Sequence, residues 1–158
     1  MKKSIAMMFV LLSVSTHGDT LRDYMVKWEG CKTSTYTCSA GMPTVGIGHN
    51  LHNETDIKSK YSESEVEKFF VTDSLKAIKI ARKYVCDFDS LPRDAQLVTI
   101  SLAFNVGETG LAKFTRYRAA LARRQYKEAA EELRKSKWWK QVASSRANEH
   151  FLRLKKCS

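Results

Sequence analysis

Apolar residues recur at helical spacing along most of this chain. The first group shares one helical face, at spacings of i, i+3, i+4 and i+7: Leu21, Tyr24, Met25 and Trp28. Asp19 or Thr20 can cap this helix, and Gly30 can end it. The pattern therefore predicts a short amphipathic helix between these caps and Gly30.

A second, longer helical pattern begins after residue 60. Ser62 and Glu65 have the spacing of a capping box, and the apolar stripe behind them continues to Val85. The nearly continuous apolar segment 97–106 predicts the buried central helix of a helical lobe. Amphipathic segments from Tyr126 onward extend this lobe toward the C-terminus.

The stretch between these helical patterns has a different character. Residues 33–45 are rich in Thr, Ser, Tyr and Cys, and Gly41 and Pro43 are turn residues. This composition predicts a small hairpin or meander. The expected fold is α+β and mainly α, with a small β-lobe at about 31–60 joined by one long helix to a helical lobe at about 62–158.

The N-terminus has the pattern of a secretory signal. Lys2 and Lys3 precede an unbroken apolar run over residues 5–12, which is too short to span a bilayer. Residues 1–18 therefore predict export to the periplasm or secretion, either as a cleaved signal or as a weak anchor with transient membrane contact. A buried first helix of the mature fold is the alternative.

The charge of the chain narrows the choice of partner. Its 158 residues include 27 Lys and Arg against 17 Asp and Glu, a net charge of +10. Such a charge favours an anionic partner: nucleic acid, a membrane surface or the cell wall. The hydrophobic fraction of 43% excludes a disordered chain.

One glutamate is a candidate general acid. Glu29 lies at the C-terminal end of the first predicted helix, beside its apolar face. Burial and the negative end of the helix dipole both disfavour a charged carboxylate, which suits a group that donates a proton. An ordinary surface glutamate in a last helical turn is the alternative.

A longer motif surrounds this glutamate. Glu29-Gly30 is followed by Thr44-Val45-Gly46-Ile47-Gly48-His49. Further segments continue the same order and spacing: 65–70, 89–91, 104–110, 114–115, 128–130 and 135–138. The sequence thereby resembles the lysozymes of tailed phages, the endolysins, from about Leu21 to Arg153. The resemblance implies a lysozyme-like fold with a cleft between its lobes, and hydrolysis of the β-1,4 bond between N-acetylmuramic acid and N-acetylglucosamine.

The resemblance also implies roles for individual residues. Glu29 matches the catalytic acid, and Thr44 matches the threonine that holds the hydrolytic water. Four positions match substrate contacts, the last two more weakly: Asn50, Phe104, Tyr117 and Glu132. Three more match supporting positions. His49 and Asp73 match a structural salt bridge, and Arg146 matches the arginine that steadies the catalytic glutamate from the other lobe.

One position departs from the family's common pattern. The catalytic aspartate expected nine residues after the glutamate is replaced by Cys38, and no Asp or Glu lies between Glu29 and Thr44. Three interpretations are open. Cys38 can supply a thiolate as base or nucleophile, it can be half of a structural disulfide in a crippled enzyme, or it can be each at different times.

Cysteine spacing resembles that of a subset of these lysozymes. The subset has a second cysteine two residues after the glutamate, which is Cys31 here, and the resemblance implies a Cys31–Cys38 disulfide that keeps the exported enzyme inactive until it is reduced. We expect Cys86–Cys157 as a second disulfide, with two unrelated thiols as the alternative. Because residues 1–30 contain no cysteine, activation needs an external thiol, Cys86 or Cys157.

Neither a metal nor a nucleic acid is indicated. The four histidines lack ligand spacing with each other and with the cysteines: His17, His49, His52 and His150. The basic helix faces lack a recognisable element for reading nucleic acid. We therefore expect no cofactor, a monomer, and peptidoglycan as the partner. The other hypotheses are an impaired lysozyme-fold protein that binds murein or a protein partner, and a basic helical protein that binds nucleic acid.

Overall fold

The computed structural model describes residues 20–38 and 40–157. The predicted export signal at residues 1–18 lies outside these ranges. The chain divides into two compact units, and the division falls between Thr72 and Asp73.

The first described element of the first unit is helix α1, Leu21–Glu29. Thr20 caps it, since its hydroxyl accepts the Asp23 N–H at 3.1 Å and the Asp23 carboxylate accepts the Thr20 N–H at 3.3 Å. The helix ends at Gly30, whose φ of 72° suits a residue without a Cβ. These local signals confirm the first predicted helix. The other candidate cap, Asp19, lies outside the described residues.

A three-stranded antiparallel sheet follows α1, in the order β1-β2-β3. Its strands are β1 (Lys32–Thr37), β2 (Pro43–Gly46) and β3 (His49–Asn50). Tyr36 of β1 pairs with Thr44 of β2, and the register shifts between Lys32 and Tyr36, which marks a bulge in β1. Of the two predicted forms, a hairpin or a meander, the structure has the meander.

The long helix predicted after residue 60 is α2, Glu63–Tyr84, and the division between the two units falls within it. Ser62 begins it with the predicted capping box. The Ser62 hydroxyl accepts the Glu65 N–H at 3.2 Å, and the Glu65 carboxylate accepts the Ser62 N–H at 2.8 Å. The start of the helix is therefore determined locally.

The sheet and the start of α2 share a small apolar core in the first unit. Five side chains form it: Val45, Leu51, Tyr61, Val66 and Phe69. A Cβ at Gly46 would lie 2.8 Å from Cγ1 of Val66, and Gly46 also has a φ of 65°. Only glycine therefore lets β2 approach this closely.

The second unit is helical. After a short 3-10 helix at Phe88–Ser90 it contains α3 (Arg93–Ala112), α4 (Thr115–Ala122), α5 (Tyr126–Arg134), α6 (Lys137–Gln141) and α7 (Ser144–Lys156). Every residue from Ala95 to Ala103 is buried, so α3 is the predicted central helix. Gly107, with a φ of 68°, kinks it near its end.

The fold is therefore α+β and mainly α, as predicted, with its small sheet in the first unit and most of its helices in the second. Over the described ranges, none of the helices combines the length and the apolar character that crossing a membrane requires.

Three polar side chains are buried together inside the second unit. Arg146 donates from Nη2 to Oγ of Ser101 at 3.0 Å, and Nε2 of His150 lies 3.1 Å from the same oxygen. Because Arg146 can only donate, the Ser101 hydroxyl accepts a hydrogen bond from it. The hydroxyl can then donate its own proton to Nε2 of a neutral His150. Burial, and then the charge of Arg146, lower the pKa of His150 to about 3.

We predict that His150→Gln flattens the dependence of stability on pH. Unfolded His150 titrates near 6.5, whereas in the fold its pKa is about 3. Its contribution is therefore fully present above pH 6.5 and is lost as the pH falls toward 3, by about 3 kcal/mol between pH 7 and 4. Glutamine stays uncharged and can still accept the Ser101 proton. Urea unfolding at both pH values measures the loss, and an equal loss in the variant would contradict the prediction.

Candidate active site

The candidate acid, Glu29, is the last residue of α1 and is half-buried. Three side chains of this helix are fully buried: Leu21, Tyr24 and Met25. Gly30 turns the chain toward β1 directly after Glu29. The carboxyl group is thus held at a fixed helix end, close in sequence to the sheet.

Cys38 follows β1 and begins the turn to β2. Its N–H donates to O of Met42 at 3.0 Å, and its carbonyl accepts the Gly41 N–H at 2.9 Å. Two backbone hydrogen bonds therefore fix Cys38 within the turn, while its side chain stays half-exposed.

Hydrogen-bond donors around the Cys38 sulfur favour its thiolate. These donors together lower the pKa of Cys38. The Met42 N–H has the largest effect, followed by the Thr44 hydroxyl and the Ala40 N–H. Thr44 is only 3% exposed, and its hydroxyl also lies 3.0 Å from O of Met42. Because the hydroxyl has a single proton, an ionised Cys38 competes with that carbonyl for it. The structure thus joins two predicted residues, Cys38 and Thr44, in one polar site.

A row of three side chains crosses the sheet at this site. Tyr36 lies opposite Thr44, and Thr44 lies opposite Asn50, so the three share one face. Oδ1 of Asn50 accepts the His52 N–H at 2.8 Å, which fixes the exposed amide. Tyr36 is absent from the predicted site, although its place two residues before Cys38 in an extended strand indicates a shared face.

The predicted supporting pair lies at the end of the sheet and in α2. The His49 ring stacks on Phe69, with ring centres 4.1 Å apart and planes 5° from parallel. The Asp73 carboxylate lies 3.7 Å from Nζ of Lys76. The stacking suits a structural role for His49, and the His49–Asp73 salt bridge stays a prediction.

Two predicted substrate contacts of the second unit, Tyr117 and Glu132, line one cavity of about 610 Å³. The Tyr117 hydroxyl lies 2.8 Å from Oγ1 of Thr99, and burial raises the pKa of Tyr117, so this phenol stays protonated. Glu132 pairs with Lys135 at 2.8 Å. Four cationic side chains also line the cavity: Lys113, Arg116, Lys135 and Lys137. Phe104, on α3, is half-exposed.

The predicted supporting residue Arg146 is 6% exposed and is bound by Ser101 inside the second unit. Its role toward Glu29 stays a prediction. Ser101 was not predicted as its partner, because Ser101 lies 45 residues from Arg146 and 49 from His150 in the chain, and no local pattern joins it to them.

All four cysteines are free thiols in this structure. Cys31 immediately precedes β1 and Cys38 immediately follows it. An extended strand of this length separates their Cα atoms by about 20 Å, whereas a disulfide requires less than about 7 Å. The predicted Cys31–Cys38 pair is therefore incompatible with an intact β1.

The other two cysteines lie in the second unit. Cys86 is exposed after α2. Cys157 is half-buried after α7, where its thiol donates to O of Arg153 at 3.3 Å, and burial, then the charge of Asp94, raise the pKa of Cys157. Their pairing stays a prediction. Across residues 20–38 and 40–157, no group of three His, Cys, Asp or Glu side chains is arranged to hold a metal ion.

The fold and these side chains define a lysozyme-like protein, with a carboxyl group at a helix end and, beside a small sheet, a cysteine whose pKa is lowered by nearby donors. The family model described as phage lysozyme matches residues 26–150. The chain therefore belongs to the phage lysozyme family. Membership implies a glycoside hydrolase that acts on peptidoglycan.

We predict that Thr44→Val slows alkylation of Cys38 by iodoacetamide at neutral pH severalfold. Removing the hydroxyl donor raises the pKa of Cys38 and so reduces the thiolate fraction, which is the reactive form. Thr44→Ser keeps the hydroxyl and is the matched control, with alkylation near the wild-type rate. Peptide mapping by mass spectrometry follows Cys38 separately from Cys31. A wild-type rate in the valine variant would show that Thr44 does not stabilise the thiolate.

Proposed function

We propose that this protein is an exported muramidase that hydrolyses the β-1,4 bond between N-acetylmuramic acid and N-acetylglucosamine and so lyses bacterial cells. Membership in the phage lysozyme family supports the substrate and the reaction class. The observation that carries the proposal is the cluster of donors around Cys38, at the position where the aspartate is missing. A thiolate held by these donors supplies an anion there.

Glu29 and Cys38 divide the reaction between them. The acid form of Glu29 gives its proton to the glycosidic oxygen as the C–O bond breaks. A water held by the Thr44 oxygen bonds to the anomeric carbon, and the Cys38 thiolate takes one of its protons. The step leaves a carboxylate and a thiol, and proton exchange with solvent restores both groups. Attack by water inverts the anomeric configuration, whereas direct attack by sulfur would retain it.

The charge of the second unit supports an acidic polymer as substrate. Four cationic side chains line the 610 Å³ cavity, together with Tyr117 and Glu132. Peptides attached to murein carry carboxylates, which this positive charge attracts. We assign Asn50 and Phe104 to sugar contacts, and Tyr117 and Glu132 to substrate contacts in this cavity.

Lysis of bacterial cells with permeabilised outer membranes, in the presence of reductant, tests the proposal. We predict that Glu29→Gln lowers the rate about a thousandfold, because an amide cannot donate the proton that general acid catalysis needs. Glu54→Gln, at an exposed glutamate outside the site, is the matched control and should lyse normally. Binding of murein without release of sugar by the reduced wild-type protein would instead support a binding protein that has lost catalysis.

We further propose that a Cys31–Cys38 disulfide holds the exported protein inactive until a thiol reduces it. The extended strand between the two cysteines supports this, because β1 and the disulfide exclude one another. The disulfide would remove the thiolate and also the strand that sets Tyr36 opposite Thr44. In reduction, an external thiolate bonds to one sulfur and releases the other as a thiolate. A second external thiol then frees the first cysteine as the external disulfide leaves.

We predict that Cys31→Ser makes lysis independent of reductant. The oxidised wild-type protein should lyse cells at least about tenfold faster after reduction, because Cys38 and β1 become available only then. Cys86→Ser is the matched control and should keep the dependence. Equal lysis by the wild-type protein with and without reductant would reject the disulfide switch and leave the muramidase proposal intact.

A further inference from the structure

Tyr36 lies on the same face of the sheet as the candidate site and has no part in the mechanism above. It is directly opposite Thr44, and Cys38 comes two residues later. Side chains directly opposite one another, or two apart in a strand, point to the same face. The register of β1 shifts between Lys32 and Tyr36, and bulges are found beside active sites, where they redirect side chains.

The charges of nearby acidic groups act on the Tyr36 phenol. Burial raises the pKa of Tyr36 most, and the charges of Glu29, Cys38 and Cys31 raise it further, in that order. The candidate acid and the candidate thiolate thus both act on this one phenol. Because a phenol among acidic groups keeps its proton, Tyr36 presents an O–H donor at this face.

Lys32 holds the Tyr36 ring from within the same strand. Its Nζ lies 4.9 Å from the ring centre, a cation–π contact. Tyr36 stays half-exposed. It is therefore a polar group that a ligand can reach.

We propose that Tyr36 is a further substrate-binding residue, whose hydroxyl donates a hydrogen bond to a hydroxyl or acetamido oxygen of the sugar beside the cleaved bond. The inference rests on the proposed function. A phenol suits this position because it donates a hydrogen bond and adds no charge of its own beside Glu29 and Cys38. The phenol binds an uncharged sugar group, so Glu29 keeps its proton and Cys38 keeps its charge.

Kinetics on soluble, uncrosslinked peptidoglycan chains, with the reduced full-length protein, test this role. Tyr36→Phe keeps the ring and removes the donor, and kcat/KM should fall about tenfold. Tyr84→Phe is the matched control, since it removes a hydroxyl that donates to Glu108 at 3.1 Å on the exposed surface. The control should keep the wild-type kcat/KM.

A fluorinated tyrosine at position 36 gives a second readout. It keeps the ring and the hydroxyl, so it is informative even where Tyr36→Phe fails to fold. Its more acidic phenol loses the donated proton at lower pH, so KM should begin to rise at a lower pH than in the wild-type protein. A purely structural tyrosine would leave the pH dependence of KM in place, and an unchanged dependence, or unchanged kcat and KM in Tyr36→Phe, would overturn the inference. An inactive wild-type protein would overturn the proposed function and this inference with it.

Discussion

The candidate site depends above all on the antiparallel pairing of β1 with β2. This pairing sets Tyr36 opposite Thr44 and brings the chain into the turn where Cys38 meets the Met42 N–H. A slip of one residue would turn these side chains to the other face of the sheet. Gly46 at the far end of β2 allows the strand to pack closely on Val66, since a side chain there would collide with it.

A cysteine at this position makes the chemistry depend on the turn more strongly than an aspartate would. An ordinary exposed carboxylate is ionised at neutral pH, whereas an ordinary thiol is mostly protonated. Cys38 gains its anionic character from the N–H groups of Met42 and Ala40 and from the Thr44 hydroxyl. All three donors are in place only while the turn and β2 are formed. Ionisation of the thiol is therefore linked to the local fold.

The parts of the fold that short-range interactions determine could be predicted from the sequence. The cap at Thr20, the capping box at Ser62 and the end of α1 at Gly30 each depend on residues three or four positions apart. The place of Tyr36 depends instead on strand register and on a bulge, which alternation alone does not specify. The buried bond from Arg146 to Ser101 joins residues 45 positions apart, and only tertiary packing brings them together.

The proposed disulfide and β1 compete for the same short segment, and the thiolate site links their stabilities. A disulfide between Cys31 and Cys38 closes a very short loop. Restricting the unfolded chain in this way therefore contributes less stabilisation than the ~3 kcal/mol attributed to a 15-residue loop. The strand gains backbone hydrogen bonds to β2, and its formation assembles the donors that stabilise the Cys38 thiolate. Stabilising the thiolate favours the reduced state of a cysteine pair. Under this proposal, folding of β1 would promote reduction of the disulfide, and reduction would permit folding of β1, so the two changes would reinforce each other.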